Sequence, residues 1–455
     1  MSDPFSARYN PNESGREHSC VKGETILLGD NKAIQDLAEG NHVLGLSGEV
    51  EVLEKMVRHF DGEMIRIHGS GILPFDITPD HPLYVVRSKT LHRGIGFSDP
   101  LWKKSQELKP KLRRSNGDYL IMPTAGGSYS IEVLDLAPFI VDPQQARVFS
   151  LPLNEDIAWL LGMYVAEGFS DFRSHLLYFA LNKKESEIVE KITNILSPFC
   201  KSIRVFENGN SEGIIVNVRS AVLGRAFSSW CGKGAQNKRI PDFILLHRKT
   251  DLLKSFLKGY TMGDGSQKMT ISNRNMRRMA TVSRLLAFQL QQAYARLGIF
   301  ANIIVQHPAG THTIEGRTVY QREAYEISFI EDPKFTHVKR SAEGSMFFIP
   351  VRQIEKIHFD GLVHNVETSD HTYLVSNVVV SNCFGKIKAI RERTGLILTH
   401  DEISYICAYL WHCTDAGEFY RRMDSMSDSE LKEVAMKAKF KRRPSLTAYE
   451  SMLYA

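Results

Sequence analysis

The chain contains 455 residues, which is enough for about three domains of ordinary size. Apolar residues make up 43% and charged residues 24%, a balance typical of a folded globular protein rather than a disordered one. The net charge of +5 is unevenly distributed, because residues 201–300 carry 17 Lys and Arg against 5 Asp and Glu. A concentrated positive segment in an otherwise acidic chain predicts a polyanionic partner.

Membrane insertion and secretion are both disfavoured by the sequence. No apolar run reaches the ~18–20 residues of a membrane helix, and the polar start MSDPFSARYNPNESGREHS lacks the apolar core of a secretory signal. Six cysteines in a chain of this length make a poor disulfide framework. We therefore expect a reduced, cytoplasmic setting without membrane contact.

Two textures alternate along the chain. Residues 20–151 contain short β-like runs separated by Gly, Asp, Asn and Pro. Apolar residues then recur at helical spacing, and β texture returns before residue 382. After Cys383 the chain becomes helical and charged, and Ser427 and Glu430 have the spacing of a helix capping box. The pattern predicts a β module that is split by an inserted α/β module.

The α/β module contains an internal duplication. We predict helices over residues 154–168, 184–198, 249–263 and 276–298, with a further short helix in VRSAVLGRAF. Extended runs such as SIRVF, GIIVNV, ANIIVQ and YEISF lie between them. Two rounds of helix, strands and helix, spaced by about a hundred residues, indicate a repeat.

Three side chains at the start of the β module fit acyl-transfer chemistry. Cys20 opens the module, and ITPDHPLY places Thr78 and His81 three residues apart beside two prolines. Taken alone, Cys20 would be interpreted as a buried cysteine, and the segment with Thr78 and His81 as a surface turn. A thiol that follows a peptide bond can attack the preceding carbonyl to form a thioester. Thr78 and His81 can hydrogen-bond that amide and protonate its departing nitrogen.

The end of the β module supplies the complementary groups. Cys383 provides a second thiol that can capture the acyl group. Asn382 can attack its own backbone carbonyl through its side-chain amide, which forms a succinimide and cuts the chain. His371, in SDHTYLV, can polarise that carbonyl.

These elements together resemble an intein, a self-splicing protein segment. CVKGET, ITPDHPLYVV, GLVHNVETSDHTYLV and VVVSNC match the intein splicing blocks in order over residues 20–382. The resemblance implies splicing without a cofactor. It makes Cys20 the first nucleophile, with Thr78 and His81 as assistants of the N-to-S acyl shift. It makes His371 the late-block histidine, Asn382 the residue that cyclises and Cys383 the first downstream host residue.

Two positions depart from the intein pattern. Ser381 stands where most inteins carry His, so we expect His371 to carry more of the catalysis of Asn cyclisation. Asn365 is the nearest match to the acidic position of the late block.

Two nine-residue segments of the α/β module share a pattern. LLGMYVAEG (160–168) and LKGYTMGDG (257–265) each place small residues four apart on one helix face. Interior glycine costs a helix about 1 kcal/mol relative to alanine, so we expect a close approach of the two helices. We expect Gly168 and Gly265 to end the helices in the left-handed conformation.

An acid precedes each of these terminal glycines. Glu167 and Asp264 therefore lie at helix C-termini, where the helix dipole disfavours an anion. Packing of the two helices also brings these like charges together, which is costly unless a cation lies between them.

The paired segments resemble the motifs of LAGLIDADG homing endonucleases over roughly residues 152–345. The resemblance implies a monomeric, pseudo-twofold α/β fold whose sheets bind the major groove of double-stranded DNA. Glu167 and Asp264 match the acids that hold Mg²⁺. Lys238 is the first candidate for a catalytic lysine, Lys233 is the second, and Lys339 is the candidate for the symmetry-related lysine. Candidate DNA-binding residues are Lys233, Arg239, Arg274, Arg277, Arg278 and Arg284.

We thus predict a mostly-β Hint-type splicing domain that is split by an inserted LAGLIDADG endonuclease domain. The splicing domain comprises residues 20–151 and 346–382, and the endonuclease between them comprises residues 152–345. An N-terminal host segment (1–19) and a helical C-terminal host segment (383–455) flank the splicing domain. The expected DNA target is the host gene without the insertion.

Two alternatives stay open at this stage. The first is a splicing protein whose endonuclease only binds DNA, and the second is a non-splicing autoprocessing or regulatory DNA-binding protein. Intact Cys20, Asn382 and Cys383 favour splicing, and the two intact acids favour an active nuclease.

Overall fold

The computed structural model describes most of residues 19–439. The remaining positions are residues 1–18, 92–93, 114, 143–146, 172–173, 208–211, 270–274, 315–316, 331–336, 371, 382–389, 391–392, 397, 399–401, 403–404, 413–420 and 440–455. Four residues singled out by sequence, His371, Asn382, Cys383 and Arg274, thus lie outside the described residues.

The first part of the chain is built almost entirely of strands. They are β1 Val21–Lys22, β2 Ile26–Leu27, β3 Lys32–Ala33, β4 His42–Gly45, β5 Gly48–Gly69, β6 Phe75–Ile77, β7 Pro82–Leu91, β8 Gly94–Phe97, β9 Leu101–Lys104, β10 Asp118–Pro123, β11 Val133–Asp135 and β12 Ser150–Pro152. Gly, Asp, Asn and Pro between these runs interrupt strand pairing, as the sequence predicts.

An α/β module follows. Its elements are α1 Glu155–Glu167, β13 Gly168–Ser170, β14 Leu177–Asn182, α2 Ser186–Leu196, β15 Ile203–Glu207, β16 Gly213–Val218, α3 Ala221–Cys231, α4 Asp242–Leu245, α5 Thr250–Asp264, β17 Gly265–Met269, β18 Asn275–Thr281, α6 Arg284–Arg296, β19 Asn302–His307, β20 Gly310–Ile314, β21 Arg317–Gln321 and β22 Ala324–Ile330. The chain then returns to strands, with β23 Lys339–Arg340, β24 Met346–Thr368, β25 Thr372–Val375 and β26 Val378–Ser381.

Strands from both sides of the α/β module form one sheet. The order is β25-β26-β7-β10-β24-β1-β6-β5-β4, with β8, β9 and β23 paired at its margins, twelve strands in all. β24 pairs antiparallel with β5 over residues 351–368 and also flanks β1. The β-rich part of the chain is therefore completed only after the α/β module, so the module is an insertion in one continuous sheet.

The predicted duplication is visible in the strand orders of the α/β module. One sheet runs β13-β14-β16-β15 and the other β17-β18-β22-β19. The last strand of each sheet in chain order lies between the second and the third, because β16 lies between β14 and β15 and β22 lies between β18 and β19. The hairpin β20-β21 forms a separate two-stranded sheet. α1 precedes the first sheet as α5 precedes the second, so the two halves repeat one arrangement.

The prediction of one helix over residues 276–298 is wrong in its first part. Asn275–Thr281 is strand β18, and the helix begins only at Arg284. Ser283 accepts a hydrogen bond from the backbone amide of Leu286 (3.2 Å), which caps the start of α6. The strand carries alternating side chains of different exposure, the period of a half-buried strand rather than a helix.

The predicted capping box near the end of the chain is confirmed. The Ser427 amide donates to Glu430 Oε2 (2.8 Å), and the Glu430 amide donates to Ser427 Oγ (3.4 Å). The helix Asp428–Lys439 follows directly. Across the described part of the chain, every helix falls short of the length and apolar character needed to cross a membrane.

Candidate functional site

The two long helices of the α/β module pack through glycine. A Cβ at Gly162 would lie closer than 3.0 Å to the Phe256 carbonyl oxygen, and a Cβ at Gly259 equally close to that of Trp159, a separation that real Cβ atoms essentially never have. The backbones of α1 and α5 therefore meet at reciprocal positions. The predicted close approach is confirmed, and only glycine fits at its centre.

The expected left-handed conformation after each helix is wrong. Gly168 has φ −90° and ψ 150°, and Gly265 has φ −88° and ψ 144°, so both are extended. Each helix runs directly into a strand, β13 or β17, without a reversing turn. Glycine is required for space, since a Cβ at Gly168 would lie 2.6 Å from Tyr164 Cα.

The tight packing predicts a large effect of a single methyl group. We expect Gly259→Ala to lower the free energy of unfolding of the α/β module by about 1–3 kcal/mol, because overpacking outweighs the helix propensity gained. Thermal unfolding monitored by circular dichroism would measure the effect. Gly126→Ala is the control, because its Cβ would meet no atom within 4 Å. An equal melting temperature for both variants would contradict the packing argument.

Glu167 and Asp264 end the two packed helices and share one cavity of about 460 Å³. A Cβ at Gly263, beside Asp264, would lie 2.8 Å from Glu167 Cγ, so the helix ends are in contact. Burial and the charge of Glu167 raise the pKa of Asp264 to about 7, and burial with the charge of Glu185 raises the pKa of Glu167. A positive charge in this cavity would relieve the repulsion between the two acids.

A divalent cation fits this donor set. Mg²⁺ is typically held by one or two carboxylates while it keeps waters and substrate phosphates as its other ligands. The described residues contain no cluster of three or more potential protein ligands, so Glu167 and Asp264 are the two carboxylates available here. The cavity leaves room for the remaining ligands to come from water and phosphate.

Lys238 lines the same cavity although it is only 7% exposed. Its Nζ donates to the carbonyl oxygens of Tyr164 and Gly168, the latter at 2.7 Å, at the C-terminal end of α1. Burial lowers the pKa of Lys238 to about 8, against the opposing charges of Cys231, Asp264 and Glu167. A lysine so placed combines a fixed position with a pKa near neutrality, which suits proton transfer.

The two other candidate lysines differ in position. Lys233 also lines the cavity. Lys339 lies on β23 and pairs through its backbone with Phe348 of the twelve-stranded sheet, and it is absent from the described cavity lining.

The candidate DNA-binding arginines that the structure describes are held in different ways. Arg277 and Arg278 lie on β18 rather than on a helix, and Arg278 forms an ion pair with Glu326. Arg284 begins α6, with its guanidinium over the Phe288 ring (5.8 Å). Arg239 donates to the Trp230 carbonyl (3.1 Å) near the end of α3.

A second site surrounds the peptide bond between Ser19 and Cys20, which are both buried. The Cys20 amide donates to Thr78 Oγ1 (2.9 Å), and the Thr78 amide donates to the Cys20 carbonyl (3.0 Å). Asn365 Nδ2 donates to the Ser19 carbonyl oxygen. Each polar group of this peptide bond is thus contacted by a side chain from a distant segment.

His81 lies on the other side of Cys20. Its Nδ1 is 3.3 Å from the Cys20 carbonyl oxygen, so Nδ1 carries the proton in this arrangement. Burial lowers the pKa of His81 to about 4, against hydrogen bonds with the backbone of Cys20 and Ser381, so the ring is neutral at pH 7. The ring therefore contacts backbone next to both ends of the β module.

The structure brings together Cys20, Thr78, His81, Ser381 and Asn365. Ser381 ends β26, whose Val380 pairs with Leu83 two residues after His81. The relation of His371, Asn382 and Cys383 to this group stays a prediction.

One residue at this site was missed by the sequence. Arg58 Nε lies 3.4 Å from Cys20 Sγ. Arg58 belongs to no recognised motif, and only the pairing of β5 with β24 brings it to the thiol.

Comparison with known proteins gives the class of the inserted module. Residues 251–328 match the family described as a LAGLIDADG-like domain. The chain therefore contains a LAGLIDADG-like domain, in the half of the module that carries Asp264, as predicted.

The chain is also similar to two proteins with unrelated names. It is 26% identical over 418 residues to the ATP-dependent DNA helicase Hel308 of Thermococcus kodakarensis, covering 82% of this chain and 37% of the helicase. It is 26% identical over 394 residues to an iron-sulfur cluster assembly SufBD family protein of Mycobacterium tuberculosis, covering 80% of this chain and 43% of that protein. The chain thus spans less than half the length of these curated relatives.

Among solved structures, the chain is similar to mesophilic variants of the homing endonuclease I-DmoI. The match has a TM-score of 0.28 and 13% identity, and it covers 39% of this chain and 89% of that one.

Proposed function

We propose that the chain is a self-splicing precursor. In this proposal residues 20–382 excise themselves and join residues 1–19 to residues 383–455. The observation that carries the proposal is the set of contacts at Ser19–Cys20, where Thr78 and Asn365 contact the two polar groups of the bond that must break and His81 contacts the adjacent Cys20 carbonyl. A merely structural cysteine at a strand start does not require this arrangement.

The first step is an N-to-S acyl shift. The Cys20 sulfur bonds to the Ser19 carbonyl carbon, the carbon–nitrogen bond breaks, and one proton moves in net from sulfur to nitrogen. Asn365 Nδ2 donates to the oxygen where negative charge develops, which favours the tetrahedral intermediate. Thr78 Oγ1 lies at the departing nitrogen and can pass it a proton, while neutral His81 holds the Cys20 carbonyl.

The later steps rest on the sequence. The Cys383 thiol attacks the thioester and displaces the Cys20 thiol, which recovers a proton. Asn382 Nδ2 then attacks its own carbonyl carbon, and the Cys383 amine leaves. That amine finally attacks the new thioester, which restores a peptide bond between Ser19 and Cys383.

The two named relatives support an excisable segment. A helicase and an iron-sulfur cluster assembly protein have unrelated functions by name, yet each contains a stretch similar to four fifths of this chain that is less than half of its own length. A segment that removes itself from its host is compatible with hosts of any function. The alternative of a non-splicing autoprocessing protein does not explain why similar segments occur in proteins with unrelated functions.

The splicing proposal is tested with the purified wild-type chain under reducing, near-neutral conditions. Mass spectrometry over time should show the precursor decline as residues 20–382 and the joined flanks appear. A persistently intact precursor would refute the proposal. Release of either flank without ligation would move the protein to the autoprocessing alternative.

For the inserted module we propose a monomeric Mg²⁺-dependent DNA endonuclease. Glu167 and Asp264 would hold the cation, which would supply activation of water and stabilisation of the leaving oxygen. Lys238 holds or moves a proton at its Nζ, and the arginines on and after β18 contact phosphates. The LAGLIDADG-like match and the acid pair at the helix ends support this assignment.

The DNA target we propose is the host gene without the insertion, around the codons for Ser19 and Cys383. Incubation of the excised segment with this duplex and Mg²⁺ should give double-strand cleavage. Salt-dependent binding without cleavage would favour the alternative of a decayed nuclease. The absence of both binding and cleavage would refute the proposed target.

Ser381 leads to a separate prediction about the C-terminal junction. We expect His371→Ala to slow cleavage at Asn382–Cys383 by about a hundredfold or more, the usual range for loss of a general acid or base. Ser381→His should change the rate only modestly and upward. The readout is release of residues 383–455 by gel densitometry. His358→Ala, an exposed histidine on β24, is the matched control. Equal rates in His371→Ala and wild type would remove His371 from the mechanism.

A further inference from the structure

We propose that Arg58 is a catalytic residue of the N-terminal acyl shift, in which it stabilises the thiolate of Cys20. The inference rests on the proposed splicing function and names a group for it that no splicing motif contains. Arg58 Nε lies 3.4 Å from Cys20 Sγ, a direct contact between a permanent cation and the attacking atom.

The surroundings of Cys20 make such a cation necessary. The side chain is completely buried and packs in an apolar cluster with Phe60, Met64 and Val363. Burial in apolar surroundings disfavours a thiolate, whereas the thiolate is the nucleophile. A neighbouring guanidinium reverses this effect, because an opposite charge within about 4–6 Å favours the ionised form.

Strand register fixes the contact. Val363 of β24 pairs with Lys22 of β1 on one side and with Arg58 of β5 on the other. Directly paired residues project to the same face of a sheet, and so do residues two apart on one strand. Cys20 immediately precedes β1 and lies two residues before Lys22, and its contact with Arg58 places the two side chains on the same face. The Arg58 guanidinium also lies over the Phe60 ring (5.5 Å), which orients it toward the thiol.

The other ionisable groups around β1 leave this role to Arg58. Lys22 is paired with Asp76 (2.7 Å), which also binds Arg66 (2.7 Å). His81 contacts the Cys20 carbonyl and is neutral at pH 7 because burial lowers its pKa to about 4. Burial, with the charge of Lys55, also lowers the pKa of His364 on β24.

The chemical consequence concerns only the first step. Arg58 stabilises the sulfur anion before attack, and the proton that leaves sulfur is balanced by the one gained by the Cys20 nitrogen. Because the nucleophilicity of a thiolate falls as it is stabilised, the benefit is greatest near neutral pH and vanishes where the thiol ionises unaided.

The test uses the full chain with Asn382→Ala, which stops the C-terminal reaction. Excess dithiothreitol cleaves the thioester, so release of residues 1–19 measures the acyl shift. We expect Arg58→Met to slow this release about tenfold at pH 7 and to approach the parent rate at alkaline pH. Arg58→Lys should restore part of the rate at pH 7. Arg352→Met, which removes an exposed arginine of β24, is the control and should leave the profile unchanged.

A second measurement does not depend on splicing. The ultraviolet absorbance of the Cys20 thiolate, taken as the difference from a Cys20→Ala partner of each protein, should titrate about one pH unit higher in Arg58→Met. An unshifted titration, or slowing that is uniform across pH, overturns the role of Arg58. A shifted titration with no dithiothreitol-dependent release from the parent refutes splicing and leaves the electrostatic role of Arg58 in place.

Discussion

Cys20→Ala is expected to abolish ligation completely, because the thiol that directly follows the Ser19 carbonyl is the first nucleophile of the proposed reaction. Cleavage at Asn382–Cys383 should continue at a reduced rate, since Asn cyclisation does not use the Cys20 thiol. Asn382→Ala should give the reverse pattern, with an intact C-terminal junction and a thioester at Cys20 that dithiothreitol cleaves. Gel electrophoresis with tags at both ends distinguishes the fragments of the two variants, which are residues 1–382 and 383–455 for Cys20→Ala and residues 1–19 and 20–455 for Asn382→Ala.

The matched control for this pair is Cys200→Ala, a second buried cysteine that lies in the α/β module. It removes a thiol of similar burial without touching the junctions, so splicing should persist. Ligation by the Cys20→Ala chain would show that the first nucleophile has been misassigned.

Glu167→Gln and Asp264→Asn are each expected to lower the rate of double-strand cleavage by a factor of about 10²–10³ or more. Both changes keep side-chain size and remove one negative charge from a cavity that holds two close acids. The repulsion between Glu167 and Asp264 falls in either variant, so the module should be at least as stable as the parent. DNA binding and splicing should be retained, because neither the sheet faces nor the thiol site is altered.

The measurement is cleavage of a labelled duplex with Mg²⁺, with binding followed separately in Ca²⁺. Asp251→Asn is the control, since this exposed acid lies in the first turn of the same helix as Asp264. Cleavage that survives in both site variants would contradict the assignment of the two acids. Loss of binding together with cleavage would show instead that the helix ends shape the DNA-binding surface.

Local sequence rules were sufficient where one backbone constraint decides the outcome. The paired small residues predicted the contact between α1 and α5 because a helix tolerates interior glycine only for a reason such as close packing. The same glycines misled at the helix ends. Gly168 and Gly265 fit a helix terminus by residue type, but the strands that follow require an extended backbone there.

Residues 276–298 show the limit of reading periodicity alone. The spacing of apolar residues in Met276–Thr281 was compatible with a helix, but pairing with β17 and β22 makes this segment a strand. Ser283 was an available signal, because serine is a common residue at a helix start. Tertiary pairing decided between two locally acceptable structures.

The thiol site divides in the same way. Cys20, Thr78 and His81 were accessible from sequence because their chemistry recurs at recognisable spacing. Asn365 was only the nearest match to a motif position and Arg58 matched no motif, since Asn365 reaches the Ser19 carbonyl and Arg58 the Cys20 thiol through the register of β24 against β1 and β5. Ser19 and Asn365 are 346 positions apart, and no local pattern encodes that contact.

The most direct test of self-splicing is a tryptic map of the purified protein by mass spectrometry. Splicing creates the peptide EHSCFGK, in which residues 17–19 are joined to residues 383–386 through a new peptide bond. The unspliced chain instead gives EHSCVK from residues 17–22. The proposal predicts that EHSCFGK accumulates in the wild-type protein and is absent from Cys20→Ala. Recovery of EHSCVK alone from wild-type protein, after prolonged incubation with reductant, would contradict it.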